Sequence, residues 1–445
     1  MDNNTNVQIM SKELIKPSSP TPDHLKTLNL SFNDQIAAPV YISLLFFYEA
    51  DEFKGLTQST DDHTQICHLL KQSLSNTLTI YYPLAGKIYP QNFTVDCNDS
   101  GIEFVVAQAK GHLKDIIENP NLKSQEKYLP VDLLGGVYKG EGTIFMVQVN
   151  FFECGGVAIG ACVSHNVADG DALIKLMIAW ATAYRVQNPK PSPANFGTMA
   201  NYLPARDLSD SNISPSLLFG DENVVTKRFV FDRMKLAALK QKVSDYYKFP
   251  STTRDDDYVY VKDPTRVELI TAFIWKHFLE NKILDAKKSF VAHIVNVRSK
   301  VSLLPKMEHV LGNEHFMVAA WAPDVPELHE LIGKLRRAIK RIDDEYIREA
   351  RDQDLYKKDI GEICDAIVER EEEGFLFSSW ARFPFYEVDF GWGKPSWVGT
   401  SALLLKNLAI LMTTKSGDDI EVWINLLPEN VKTFENQFKL IDAAK

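Results

Sequence analysis

Residues 145–185 read FMVQVNFFECGGVAIGACVSHNVADGDALIKLMIAWATAYR, and the period of the apolar residues changes three times within them. Phe145, Val147, Val149 and Phe151 alternate with Met146, Gln148 and Asn150, the two-residue period of a half-buried strand. Cys154-Gly155-Gly156 supplies a turn, and Val157 to Val163 is apolar without a break, which predicts a second strand buried on both faces. After Ser164 to Gly170, the residues Leu173, Leu176, Met177, Trp180, Ala181 and Tyr184 mark one face of an amphipathic helix. Strand, turn, strand, loop and helix in succession predict an α/β fold. They place His165 in a strand-to-helix connection.

The same mixture extends outward in both directions. Ile66, Leu69, Leu70, Leu74 and Leu78 form a helical stripe that Tyr81-Tyr82-Pro83-Leu84-Ala85-Gly86 breaks. Between Gln187 and Gly220, Pro191, Pro193, Pro204 and Pro215 stand among Ser, Asn and Asp and no period survives, which reads as a crossover between domains. Beyond it, Val225 to Phe231 predicts a strand, and Thr265-Arg266-Val267-Glu268 a capping box that opens a helix carrying Ile270, Ile274 and Phe278. Phe290 to Val297 predicts another strand. Leu328 to Ile342 predicts one long helix, and the charge run from Lys334 to Asp354 a solvated face. With 445 residues the chain exceeds one core, and the boundaries expected are a first domain over 1–190, a crossover over 191–220 and a second domain over 221–445.

Charge and cysteine usage narrow the function classes. A formal charge of −10, with a pI near 5.6, works against a nucleic-acid footprint or a membrane-surface role and suits a soluble monomer. Five cysteines in no C-x-x-C spacing point to free thiols in a reducing compartment. The opening residues carry no apolar signal region and no apolar run is long enough to span a bilayer, so the cytosol is expected. G-x-S-x-G, Walker, G-x-G-x-x-G and H-E-x-x-H patterns are absent, and Asp255-Asp256-Asp257 cannot converge on one ion, so no metal is expected.

Two constellations remain. His165 and Asp169 stand in H-x-x-x-D spacing in a small-residue loop ahead of a helix, where a titratable group can be held rigidly yet face a cavity. On these residues alone a catalytic and a satisfied structural histidine are both open. Asp389-Phe390-Gly391-Trp392-Gly393 sets two glycines around a tryptophan, which reads as architecture. It is no kinase metal loop, because the H-R-D and V-A-I-K partners are missing.

Taken together, Ile15 to Pro22, Leu30-Ser31, Tyr81 to Gly86, Ser164 to Gly170 and Asp389 to Gly393 resemble the plant BAHD acyltransferases along nearly the whole chain. That resemblance implies two similar-sized chloramphenicol-acetyltransferase-like α/β domains with a solvent channel between them. It implies transfer of an acyl group from an acyl-CoA co-substrate to a small-molecule alcohol, with no tightly bound cofactor. His165 then resembles the general base, and Asp169 a structural carboxylate paired with Arg298. Asp389, Gly391 and Gly393 resemble a structural element remote from the histidine. Phe377-Ser378-Ser379-Trp380 is similar to the family's oxyanion segment, with Ser378 in place of a commoner Thr and Trp380 beside it. Leu311-Gly312-Asn313-Glu314 departs from the anthocyanin-acylating stretch, and Phe377 to Tyr386 resembles the alkaloid-acetylating branch. Acetyl-CoA and an alkaloid alcohol are therefore expected. A phenolic or terpenoid alcohol, a malonyl or longer donor, and a non-catalytic partner protein are the alternatives; both motifs being intact argues against the last.

Overall fold

The structure, a computed structural model, describes residues 7–50, 60–89, 93–130, 143–186, 195–214, 224–248, 259–281, 288–300, 302, 310–322, 325–368, 372–403 and 405–441. Asp255 to Asp257 lie outside them. Two compact units are present, the first made of Met1–Arg206, Met307–Glu314 and Pro384–Ala402, the second of Asp207–Lys306, His315–Phe383 and Leu403–Lys445.

The first unit is organised on a six-stranded sheet, in the order Val7–Ile15, Ile102–Ala109, Phe145–Phe152, Val157–Ser164, Tyr41–Tyr48 and Trp397–Gly399. All pairings are antiparallel except that of Ile102–Ala109 with Phe145–Phe152. The apolar run Val157 to Val163 becomes a strand in which every residue is buried, as its composition predicts. Its Gly160 is required by close approach, because a Cβ there would stand 2.4 Å from the carbonyl oxygen of Tyr128.

Phe145–Phe152 is not half-buried. All eight residues are buried, and the polar alternates are satisfied internally. Gln148 Nε2 donates to the Lys127 carbonyl (2.9 Å) and to Asn150 Oδ1 (2.8 Å), and Asn150 Nδ2 donates to the carbonyls of Tyr128 (3.0 Å) and Ala158 (3.2 Å). Carboxamides that read as a solvent face instead hold the 127–129 segment over the sheet. The helices Thr60–Ile80 and Gly170–Arg185 pack on each other, and the Trp180 indole donates to the Leu70 carbonyl and Ser73 Oγ, both at 3.1 Å.

The second unit repeats the plan with its own six-stranded sheet, ordered Val225–Phe231, Ile420–Leu426, Leu408–Thr413, Glu372–Trp380, Lys288–Asn296 and His315–Ala322. The helix Arg266–Glu280 starts at the expected capping box, with Thr265 and Glu268 bonded reciprocally. The long helix expected through Ile342 ends at Lys340, and Asp343 accepts from the N–H groups of Glu345 and Tyr346 to start a second helix, Asp344–Asp352. One residue of the charge run also turns inward. Arg336 bonds to both carboxylate oxygens of buried Glu268.

The unit boundaries differ from the linear expectation. Residues 195–206 of the expected crossover fold with the first unit, where Asn195–Phe196 pairs with Val310–Leu311. Asp389 to Gly393, expected in the second domain, also belongs to the first unit. The reason is packing: Trp397–Gly399 extends the first sheet, and the Tyr48 hydroxyl donates to the Val388 carbonyl at 2.8 Å.

Candidate active site

His165 is the first residue beyond the Val157–Ser164 strand. Its N–H donates to the Val40 carbonyl at 2.9 Å, and its carbonyl accepts from Asn313 Nδ2 at 2.6 Å. The peptide groups on both sides of this residue are therefore fixed, while the residue as a whole is half-buried. Next to it, Asn166 Nδ2 donates to the carbonyls of Asp34 (3.0 Å) and Ala37 (3.1 Å). The turn is sewn to the segment around residues 34–40.

Asp169 caps the helix Gly170–Arg185 from an extended conformation. Its Oδ1 accepts from the Ala172 N–H at 2.9 Å and its Oδ2 from the Glu314 N–H at 3.1 Å, while its own N–H donates to the Gly312 carbonyl at 3.3 Å. A carboxylate at a helix N-terminus meets the positive end of the macrodipole, which favours its charge. Asp169 is thus engaged in holding the helix and the 312–314 segment together. Gly312 at φ +149° allows that segment to turn back on the helix.

The Asp389–Gly393 loop lies at the opposite end of the same helix. Asp389 Oδ1 accepts from the N–H groups of Gly391 (2.7 Å) and Gly393 (3.0 Å), and Oδ2 approaches Arg185 Nη1 at 3.7 Å. Sixteen residues at ~1.5 Å each separate the two ends by roughly 24 Å. Phe390 packs edge-on to Trp180 (5.0 Å between centroids) and Tyr184 (5.7 Å), and Trp392 to Tyr48 (5.9 Å) and Tyr184 (5.1 Å). These are core contacts. The loop is far from His165.

Ser378, Trp380 and Arg298 stand in the second unit. Ser378 and Trp380 are on one face near the end of the Glu372–Trp380 strand, and Trp380 Nε1 donates to Ser378 Oγ at 3.0 Å. A serine oxygen that accepts from an indole keeps its own hydroxyl proton for another acceptor. Arg298 follows the Lys288–Asn296 strand, is buried, and its N–H donates to Asn296 Oδ1 at 3.0 Å.

A family model described as the transferase family matches residues 5–441. The chain belongs to the BAHD transferase family. It is 36% identical over 444 residues to stemmadenine O-acetyltransferase of Catharanthus roseus, covering 98% of each chain. To vinorine synthase of Rauvolfia serpentina it is 37% identical over 435 residues, covering 95% of this chain and 94% of that one. The crystal structure of vinorine synthase is similar with a TM-score of 0.79, at 33% identity and 96% coverage of both chains. A limonoid 7-O-acetyltransferase of Citrus sinensis is 35% identical over 466 residues, covering 98% of each. This BAHD transferase is accordingly an acyl-CoA-dependent O-acyltransferase of mixed α/β fold.

Sequence reasoning missed the polar residues that hold the BAHD histidine turn. Asn33, Asp34 and Asn313 are buried and bonded to one another. Ser31-Phe32-Asn33-Asp34 is an S-x-x-D capping box, a signal present in the sequence and passed over. Asn313 offered no local signal. Cys162 is fully buried and burial pushes its thiol up, and Cys154 Sγ accepts from the Leu113 N–H at 3.4 Å. Among the described residues no group of three or more His, Cys, Asp or Glu could hold a metal, and no helix is long and apolar enough to cross a membrane.

Proposed function

We propose that this acyltransferase moves an acetyl group from acetyl-CoA to a hydroxyl of an alkaloid, with His165 as general base and no acyl-enzyme. The observation that carries the proposal is the placement of His165: a half-buried histidine on a backbone fixed at both neighbouring peptide groups. The names of the relatives support the acceptor class.

The acceptor hydroxyl gives its proton to the His165 ring as its oxygen attacks the thioester carbonyl carbon. The carbonyl π electrons move to oxygen, and the Ser378 hydroxyl, itself accepting from Trp380, donates to that oxyanion. Collapse breaks the carbon–sulfur bond. The departing thiolate takes the proton from the imidazolium, leaving ester and free CoA. General-base catalysis contributes about 10² to 10⁴ in rate and an oxyanion donor about 2.7 to 4 kcal/mol, so positioning of both substrates in a channel supplies much of the remainder. Asp169 holds the turn and pairs with Arg298 in this proposal, which leaves neither charge buried alone. We place the enzyme in the reducing cytosol as a monomer, on its acidic charge and free thiols.

The similarity to the limonoid acetyltransferase favours a second reading, a terpenoid alcohol as acceptor. Incubating purified protein with a panel of acyl-CoA thioesters and of alkaloid and terpenoid alcohols, followed by mass spectrometry, tests both. Acetylation of an alkaloid alcohol is expected. Acylation of terpenoid alcohols alone moves the acceptor class, and thioester loss with no acylated alcohol contradicts the transferase reading.

A further inference from the structure

The His165 turn is held by a buried polar network that the transfer chemistry does not use, and Asn313 is its centre. Asn313 Nδ2 donates to the His165 carbonyl at 2.6 Å and to Asp34 Oδ1 at 2.7 Å, which accounts for both of its hydrogens. Its own main-chain carbonyl accepts from Asn33 Nδ2 at 2.9 Å. Asp34 is fixed in turn, because its Oδ2 accepts from the Ser31 N–H (2.7 Å) and the Ser31 hydroxyl (2.6 Å). Asn313 is 0% exposed and Asp34 7%. Burial pushes the Asp34 carboxyl up, against the hydrogen bonds from Ser31 and Asn313 that favour its charge.

Of the two isosteres, amide and carboxylate, the amide alone can make both of the Asn313 bonds. A carboxylate in its place would face the Asp34 carboxylate and the His165 carbonyl with no hydrogen to give. The bridge is also long in sequence, 279 residues to Asp34 and 148 to His165, so it is a tertiary device and not a local cap. With the Val40 carbonyl holding the N–H of His165 and Asn313 holding its carbonyl, only the side-chain torsions of the histidine are left to vary.

We infer that Asn313, locked by Asp34, is a positioning residue that sets where the His165 imidazole is presented to the acceptor hydroxyl. The inference rests on His165 being the base. A shift of about 1 Å at a reacting group can cost about 10²-fold in rate, and losing one of the two backbone anchors permits a movement of that size.

The test is a double-mutant cycle on turnover with acetyl-CoA and an accepted alcohol, at a temperature where every variant is folded by circular dichroism. Asn313→Ala should lower kcat by about 10- to 10²-fold with little change in either KM. In a His165→Ala background it should have no further effect, since it acts through the histidine. An Asn313→Ala enzyme with wild-type kcat, or one that lowers the residual rate of His165→Ala by its full single-variant factor, overturns the inference. Full turnover in His165→Ala overturns instead the general-base reading beneath it. Should Asn313→Ala fail to fold, Asn313→Ser, whose short hydroxyl has one hydrogen for the two bonds, is put through the same cycle: a reduced kcat at constant KM supports the inference, and an unchanged kcat overturns it.

Discussion

The two ends of the helix Gly170–Arg185 carry two loops built on one device around different side chains. At the N-terminal end Asp169 accepts from the N–H groups of Ala172 and Glu314; at the C-terminal end Asp389 accepts from those of Gly391 and Gly393 and approaches Arg185. Each aspartate organises a tight backbone. What differs is the side chain presented: half-buried His165 at one end, fully buried Phe390 and nearly buried Trp392 at the other. A rigid turn around a half-buried titratable residue can do chemistry, whereas a rigid turn whose aromatics fill the core can only hold the fold.

The sharpest way to break this contrast is to truncate each cargo. His165→Ala should lower turnover by about 10² to 10⁴ and leave the thermal midpoint close to wild type; retention of most turnover would remove its role as base. Phe390→Ala should show the opposite pattern. It deletes a ring packed on Tyr48, Trp180, Tyr184 and Trp392 and should cost about 3 to 5 kcal/mol in denaturant unfolding. The protein that remains folded should keep its KM values. A stability loss below 1 kcal/mol would mean that the loop is not part of the core.

The aspartates themselves should differ by less. Asp169→Ala removes a helix cap, about 1 kcal/mol, and strands the buried Glu314 N–H, about 1 to 3 kcal/mol more. Its loss should be coupled to that of Arg298→Ala, and strict additivity would mean that the two are not paired. Asp389→Ala leaves its two amides closer to solvent, and should cost about 1 kcal/mol. Equal losses at the two ends would erase the distinction between them.

Much of this organisation was legible in the sequence, and the reasons are local. The apolar run Val157 to Val163, the capping box at Thr265 and the turn before helix Gly170–Arg185 are specified by neighbours in the chain. The illegible parts are the non-local ones. Gln148 and Asn150 read as a wet face because the carbonyls that satisfy them belong to residues about twenty positions upstream and to the next strand. The end of the helix at Lys340 was masked by Ile342, which continues the apolar stripe past the Asp343 cap. Asn313 and Asp34 gave no sign of each other across 279 residues, and the first unit recruits Pro384–Ala402 through a strand pairing that no local pattern announces.

Direct transfer, with His165 as base and no acyl-enzyme, is the central claim, and Cys162 is its chemical rival because it lies three residues before His165. The structure places Cys162 in the middle of a strand buried on both faces, where burial raises its thiol and keeps it protonated. Initial rates measured while both acetyl-CoA and the acceptor alcohol are varied discriminate directly. Intersecting double-reciprocal lines, unchanged in form and with most turnover kept in Cys162→Ala, are predicted. Parallel lines, together with an acetylated cysteine peptide trapped in the absence of acceptor, would contradict the account.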